Sequence, residues 1–252
     1  MTGPLLASYE LSHSKAATVS ASTEDAGYPA AAVIDGDATT QWRATAASAQ
    51  IEFDLGIVQT IDYWAIYGWP FPDDGSIQLE TSVDGISGWT AQGPLVTPDA
   101  TGAVFQPFTA VAAQYVRLSL TGTSGGTYGI ALVAIGKRVE FVHGLPPPYT
   151  PPQLAENIED LTNFGDSGLP LGSILKSRGF TTTASFIRMT PDFMRNELAP
   201  LLRIGGLHFW SWDYDNHPTD AVLMSIAGRM PIPQLDIHHR YSISITMTGV
   251  VR

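Results

Sequence analysis

Between Gly144 and Gln153 the chain reads GLPPPYTPPQ, with five prolines in ten residues. Proline has no backbone N–H and a fixed φ, so neither a helix nor an internal strand runs through such a stretch. Its preferred geometry is the extended polyproline form. The stretch therefore divides the chain into residues 1–143 and 154–252, with 144–153 as a semi-rigid connection; a long surface loop within one domain is the alternative. A length of 252 residues fits two domains, since single domains cluster near ~100–150 residues.

Ahead of the prolines, short runs of side-chain period two alternate with turn signals. QIEFDLG (50–56) alternates Ile51, Phe53 and Leu55 with polar residues, and VQTIDYWAIYG (58–68) continues the pattern. SIQLETSVDG (76–85) and QYVRLSLTG (114–122) behave alike, while GIALVAIG (129–136) is almost wholly apolar. This rhythm predicts an antiparallel sandwich. Behind the prolines the character is α+β. TPDFMRNELAPLLR, Thr190 to Arg203, predicts a helix, with Thr190 as N-cap, Pro191 at the first turn and Pro200 kinking or ending it. Strands are predicted over 179–189, 207–213, 221–228 and 240–251.

Composition removes several classes of function. Without cysteine there are no disulfides, thiolate metal sites or cysteine nucleophiles. The net charge of −11 disfavours nucleic acid and anionic membranes, and no run of ~18 apolar residues is present to span a bilayer. The start, MTGPLLASYELSH, lacks the basic and apolar regions of a signal peptide. G-x-S-x-G, P-loop, H-E-x-x-H and dinucleotide fingerprints are all missing, so no enzyme is expected. Asp213, Asp215, His217 and Asp220 in WSWDYDNHPTD could hold a metal or do acid–base work, but the same residues make a hairpin loop, which is the preferred reading. His238 and His239 are adjacent, so on a strand they point to opposite faces.

The stretch AAVIDGDATTQW, Ala31 to Trp42, offers three readings: metal site, catalytic pair or turn. No base or nucleophile accompanies Asp35 and Asp37, which leaves the first and the last. Together with QIEFDLG, IQLETSVDGISGWT, QYVRLSLTG and IALVAIG in that order, it resembles a discoidin domain, the coagulation-factor C-type or galactose-binding-like jelly roll, over residues 13–136. The resemblance implies a mainly β fold in which Asp35 belongs to a capped turn and Trp42 and Trp89 plug the sandwich. In calcium-binding members the ligands would correspond to Asp37, Thr40 and an acidic residue of the last strand. That third position falls near Ala131, so the expectation is a metal-free turn, with calcium on Asp37 and Thr40 as the alternative. Members that bind sugars use loops at one end. Here that implies GWPFPDDG (68–75), with Trp69 and Phe71 stacking on a sugar and Asp73 and Asp74 accepting from its hydroxyls.

Residues 137–252, with SGLPLGSILKSRG, FTTTASFIRM, the helix and HFWSWD, resemble distal-tail or tail-tip proteins of long-tailed bacteriophages. This implies a tail-tube-like β-barrel with one packed helix. It also implies a structural role in a virion's tail tip or baseplate, as a ring of copies bound to tail-tube and hub proteins. The alternative function is a carbohydrate-binding module that recognises a host surface glycan through residues 68–75.

Overall fold

The computed structural model describes residues 3–68, 70–72, 74–98, 102–122, 128–164, 166–167, 169–227, 233–236 and 239–249. Two antiparallel sheets form. In chain order the strands are β1 (Leu5–Ser8), β2 (Thr18–Ala21), β3 (Trp42–Arg43), β4 (Ala49–Gly68), β5 (Ser76–Ser82), β6 (Thr90–Val96), β7 (Gly102–Thr121), β8 (Gly129–Gly136) and β9 (Val139–Glu140). The rest are β10 (Glu156–Phe164), β11 (Pro170–Met189), β12 (Leu207–Ser211), β13 (Val222–Ile226), β14 (Gln234–Leu235) and β15 (Tyr241–Gly249).

The first sheet runs β3-β8-β4-β7-β5-β6, with β2 added to β4. It folds on itself because β4 and β7 each serve two layers. Ala49–Asp54 pairs with Tyr115–Leu120, the register slips between Asp54 and Gln59, and Gln59–Gly68 then pairs with Gly102–Ala113. At this corner the Asp54 carboxylate accepts from the Gly56 N–H at 2.8 Å and from the Gln114 amide at 3.0 Å. Bulges of this kind let one strand turn from one layer into the next. What reads as two runs, 50–56 and 58–68, is thus one bent strand. The layer of β2, β5, β6 and the first half of β4 encloses a core with the layer of β3 and β8. Ile51, Phe53, Trp64, Leu79, Leu118, Val133 and Trp42 meet there.

Burial along β4 shows what lies on each side. Its first half alternates buried and half-buried residues, whereas Tyr63–Gly68 is buried throughout. β8 is buried at every residue. Both stretches are covered on two faces, because the second sheet packs on the outside of this layer. Tyr63, Tyr67, Phe105, Leu132 and Ala134 meet Leu5, Tyr9, Phe209 and Leu223 in an apolar core between the two sheets. A strand covered on both faces has no solvent side and so reads as a continuous apolar run.

The second sheet runs β10-β11-β15-β13-β12-β1-β9, with β14 on β15. β1 pairs Leu5–Ser8 with Ser211–His208, so the start of the chain crosses into the second unit rather than opening the sandwich. The far face carries a third core of Phe141, Phe186, Trp210 and Met247 beneath Met194, Leu198 and Leu201 of the helix. The expected closed barrel is not seen: among the described residues the sheet is open, its ends being β10 and β9. With the sandwich on one face and the helix on the other, both faces are already buried without closure.

The helix forms where expected, and the Thr190 hydroxyl accepts from the Phe193 N–H at 3.2 Å. It is wound as a π segment over Phe193–Leu198 and continues as α1, Ala199–Ile204. The wide turn precedes Pro200, whose ring has no N–H and crowds the carbonyl four residues back, so the change of winding replaces a sharp break. The proline-rich stretch lies along the second unit: Leu145 and Tyr149 pack on its core, and the Thr182 hydroxyl donates to the Thr150 carbonyl at 2.6 Å. The sandwich passes into the second sheet at Arg138 instead. The Arg138 backbone N–H donates to Asp62 Oδ1 at 2.8 Å and its Nη1 to the Asp62 carbonyl at 2.6 Å.

Candidate functional site

Four segments converge at one end of the sandwich. The Ala44 N–H donates to the Tyr128 carbonyl at 3.1 Å, Arg43 N–H to the Tyr28 carbonyl at 3.3 Å, and Gly129 N–H to the Pro70 carbonyl at 3.0 Å. The chain at Asp25–Tyr28, at Arg43–Ala44, at Pro70 and at Tyr128–Gly129 therefore meets. Close backbone approach demands glycine at Gly68, where a Cβ would lie 2.2 Å from the Gly129 carbonyl oxygen. It demands glycine again at Gly75, where a Cβ would lie 2.4 Å from the Tyr128 hydroxyl.

Of the four residues expected to meet a ligand, Trp69 and Asp73 lie outside the described residues. Phe71 does not face solvent. It is 4% exposed, belongs to the sandwich core, and its ring centre lies 6.3 Å from that of Tyr128. A loop closed by a bond from the Gly75 N–H to the Pro72 carbonyl (2.9 Å) turns this aromatic inward, where the apolar ring gains most. The Tyr128 hydroxyl donates to the Thr121 carbonyl at 2.5 Å, and burial pushes its pKa up to about 12. Phe71 and Tyr128 thus hold the loop down. Asp74 is exposed on this loop, two residues before Ser76, whose hydroxyl pairs with that of Thr121 at 2.6 Å. Across the same end the Arg43 guanidinium lies 4.0 Å from the centre of the half-buried Tyr28 ring.

The Asp35–Thr40 stretch is a turn whose carboxylates serve its own donors. Asp35 Oδ1 accepts from the Asp37 N–H (2.8 Å) and Oδ2 from the Thr40 hydroxyl (2.7 Å), while Asp37 Oδ1 accepts from the Thr39 N–H (2.8 Å) and hydroxyl (2.7 Å). The two bonds from Thr39 hold the Asp37 carboxyl below its ordinary range. Ala131 is fully buried between the sandwich and the second sheet. Trp42 is fully buried too, its indole N–H donating to the Thr23 carbonyl at 2.9 Å. Trp89 is not a second plug. It is half-buried, with the Arg117 guanidinium 4.2 Å from its ring centre, because the turn at Asp84 ends outside the core.

The second acidic cluster is a hairpin loop with internal partners. Asn216 donates to both Asp213 oxygens (3.0 and 2.8 Å), the Trp212 indole to Asp220 at 3.3 Å, and His217 stacks on Trp212 at 4.9 Å. No group of three acidic or histidine side chains disposed to hold a metal occurs among the described residues. Sequence reasoning missed the pairing of this loop with the proline-rich stretch. Tyr149 lies 6.2 Å from Trp212, at an open cleft of about 420 Å³ walled by Pro4, Pro147 and Pro151. An aromatic residue amid prolines was the available signal.

The N-terminal part of the chain carries an F5/8 type C domain, whose family model matches residues 18–135. Among solved structures the chain is similar to chitosan-binding module 1 from a chitosanase/glucanase of Paenibacillus sp. IK-5 (25% identity, 50% of this chain and 98% of that one, TM-score 0.44). It is also similar to a pectin-binding carbohydrate-binding module (25% identity, 51% and 93%, TM-score 0.41). A third is a Clostridium perfringens protein in complex with GalNAc-β-1,3-galactose (18% identity, 50% and 99%, TM-score 0.44). No curated protein matches the chain.

Proposed function

We propose that this chain is a non-catalytic recognition protein that binds carbohydrate at the loop end of its F5/8 type C sandwich, with the second unit as its mount. The convergence of the four segments at that end carries the reading. The inner layer's broad face is sealed against the second sheet, which leaves that face no room for a ligand. It presents a carboxylate (Asp74), a hydroxyl pair and an aromatic ring beside a guanidinium (Tyr28 and Arg43), on a loop stiffened from below by Phe71 and Tyr128. Sugars are met by such sets: planar apolar faces for ring C–H groups and carboxylates for hydroxyls. A glycan array followed by titration calorimetry tests this. Trp69→Ala and Asp74→Asn should each weaken the best glycan at least tenfold with the melting temperature unchanged. An array without signal, or binding unchanged in both variants, overturns the proposal.

A second reading, a structural part of a phage tail tip that forms a ring with its own copies and with tube and hub proteins, rests on the sequence resemblance of residues 137–252. One observation favours it. Among the described residues the first half of β11 pairs only with β10, and this two-stranded arm exposes Ile158, Leu171 and Ile174. Light scattering decides it: a ring-sized species that Ile158→Lys plus Ile174→Lys dissolves supports the reading, and a monomer at all concentrations refutes it.

A further inference from the structure

The described chain has two non-glycine residues with left-handed backbone, Arg188 (φ 61°) and His239 (φ 55°). They flank the same end of the β11–β15 pairing, Arg188 one residue before Met189 and His239 two residues before Tyr241, the partner of Met189. Arg188 sits where the register of β11 against β15 slips between Phe186 and Met189. His239 sits in the turn that leads from β14 into β15, where the Asp236 N–H donates to the Arg240 carbonyl (2.9 Å) and Asp236 Oδ1 accepts from the Arg240 N–H (2.8 Å). Backbone in this region is unfavourable for a side chain with a Cβ, and such residues gather at ligand sites. A bulge re-aims the side chain it carries.

Beside Arg188 and Arg240, the residue after His239, lies a cavity. Its narrow part, about 70 Å³, is lined by Phe141, Phe186, Met189 and Phe193, and has room for ~5 water-sized positions, closer to a ring than to a single water. Its mouth adjoins a shallower hollow of about 310 Å³, and His143, Arg188 and Arg240 line both. The Arg240 guanidinium reaches the Arg188 carbonyl at 3.4 Å, so the two arginines share one rim. Asp236 is the carboxylate on the hollow, and it serves the Arg240 turn. In a chain of net charge −11, two arginines against one carboxylate beside an aromatic floor form a local reversal of sign.

We propose that this cavity binds a small carboxylic acid with an apolar body about one ring in size. The body would occupy the aromatic floor and the carboxylate would meet Arg188 and Arg240. Guanidinium groups suit this role because they pair with a carboxylate through two parallel N–H···O bonds. A polar-bodied acid such as a sugar acid would lose its own hydration in the narrow part without replacement partners. The site is remote in sequence from the loop end proposed for glycan, so the two proposals stand or fall separately.

Titration calorimetry of the full chain with phenylacetate, phenylacetamide and glucuronate tests it. Phenylacetate should bind saturably at one site, and the neutral amide and glucuronate at least tenfold more weakly. Arg188→Gln and Arg240→Gln are both at exposed positions. Each should weaken phenylacetate at least tenfold while leaving the melting temperature and any glycan binding unchanged. Absence of saturable phenylacetate binding, equal affinity for the amide or for glucuronate, or unchanged affinity in both variants overturns the proposal.

Discussion

His208 couples the stability of the second sheet to pH. It lies on β12, opposite Ser8 on one side and Met224 on the other, and is fully buried. Neither ring nitrogen has a hydrogen-bond partner. Burial lowers its pKa from 6.5 to about 4, against a smaller opposing pull from Glu10. The folded chain therefore keeps the imidazole neutral down to about pH 4, whereas the unfolded chain takes up a proton near 6.5. This contribution to stability is present in full above pH 6.5 and is lost as the pH falls toward 4. Each pH unit in that window is worth about 1.4 kcal/mol, so His208 costs the fold about 2 kcal/mol by pH 5 and about 3 kcal/mol below pH 4. His208→Leu removes the titration and leaves no unpartnered nitrogen, so its stability at pH 7.5 should stay within about 1 kcal/mol of the original. Urea unfolding of both proteins at pH 7.5, 6.5, 5.5 and 5.0 gives the comparison. His13, also lowered mainly by burial, shifts both proteins alike and drops out of the difference. The gap between the two curves should grow by about 2 kcal/mol in favour of His208→Leu as the pH falls to 5. Parallel curves would refute the reasoning, since they would mean that the imidazole is solvated or finds a partner when protonated.

Two further predictions concern the joint between the units. Arg138→Met strips Asp62 of its nearest cation (Nη1 to Oδ2, 3.6 Å; side chains 17% and 16% exposed) and should cost about 3–5 kcal/mol in urea unfolding, part of it recovered by adding Asp62→Asn. Burial already raises the Asp62 pKa despite the arginine, so the lone carboxylate should take up a proton at higher pH still. Ala134→Leu forces extra methyl groups into the fully buried core between the sandwich and the second sheet and should cost about 1–3 kcal/mol. A loss below about 0.5 kcal/mol would mean that the two units do not pack tightly there.

What the sequence disclosed and what it hid follow from the range of the interactions involved. Period two in QIEFDLG and YSISITMTG reports one buried face, a local property, and both segments form strands. The apolar run GIALVAIG held more than a strand. Ile130 and Val133 face the sandwich while Leu132 and Ala134 face the second sheet, with a register slip between Tyr67 and Gly68 that lets Ala131 join Leu132 on the same side. Such a run states that both faces are covered but not by what, because the covering strands, β1 and β12, come from opposite ends of the chain. Closure of the second sheet is hidden for the same reason: it depends on which distant edges pair.

The candidate site divides along a similar line. GWPFPDDG announces a loop through its prolines and glycines, and the loop is there, but the side on which Phe71 lies is decided by Tyr128, more than fifty residues away. An aromatic residue between two prolines is equally suited to display and to anchorage. Here anchorage wins, since full burial of a phenylalanine ring is worth about 1.5–3 kcal/mol to the free protein before any ligand arrives. Trp89 shows the converse. Its place in SVDGISGW suggests a plug, yet Arg117, bonded to Glu80 at 2.6 Å on the neighbouring strand, offers a cation at 4.2 Å outside the core. Asp84 fixes the preceding turn by accepting from the N–H groups of Ile86 and Ser87 (2.9 and 2.8 Å), which holds that segment at the surface. Substituting Trp89 should therefore disturb the outer face of β5 and β7, whereas substituting Trp42 removes a ring from the middle of the sandwich. Truncation of the buried Trp42 to alanine belongs to the class that costs about 3–5 kcal/mol, and the half-exposed Trp89 does not.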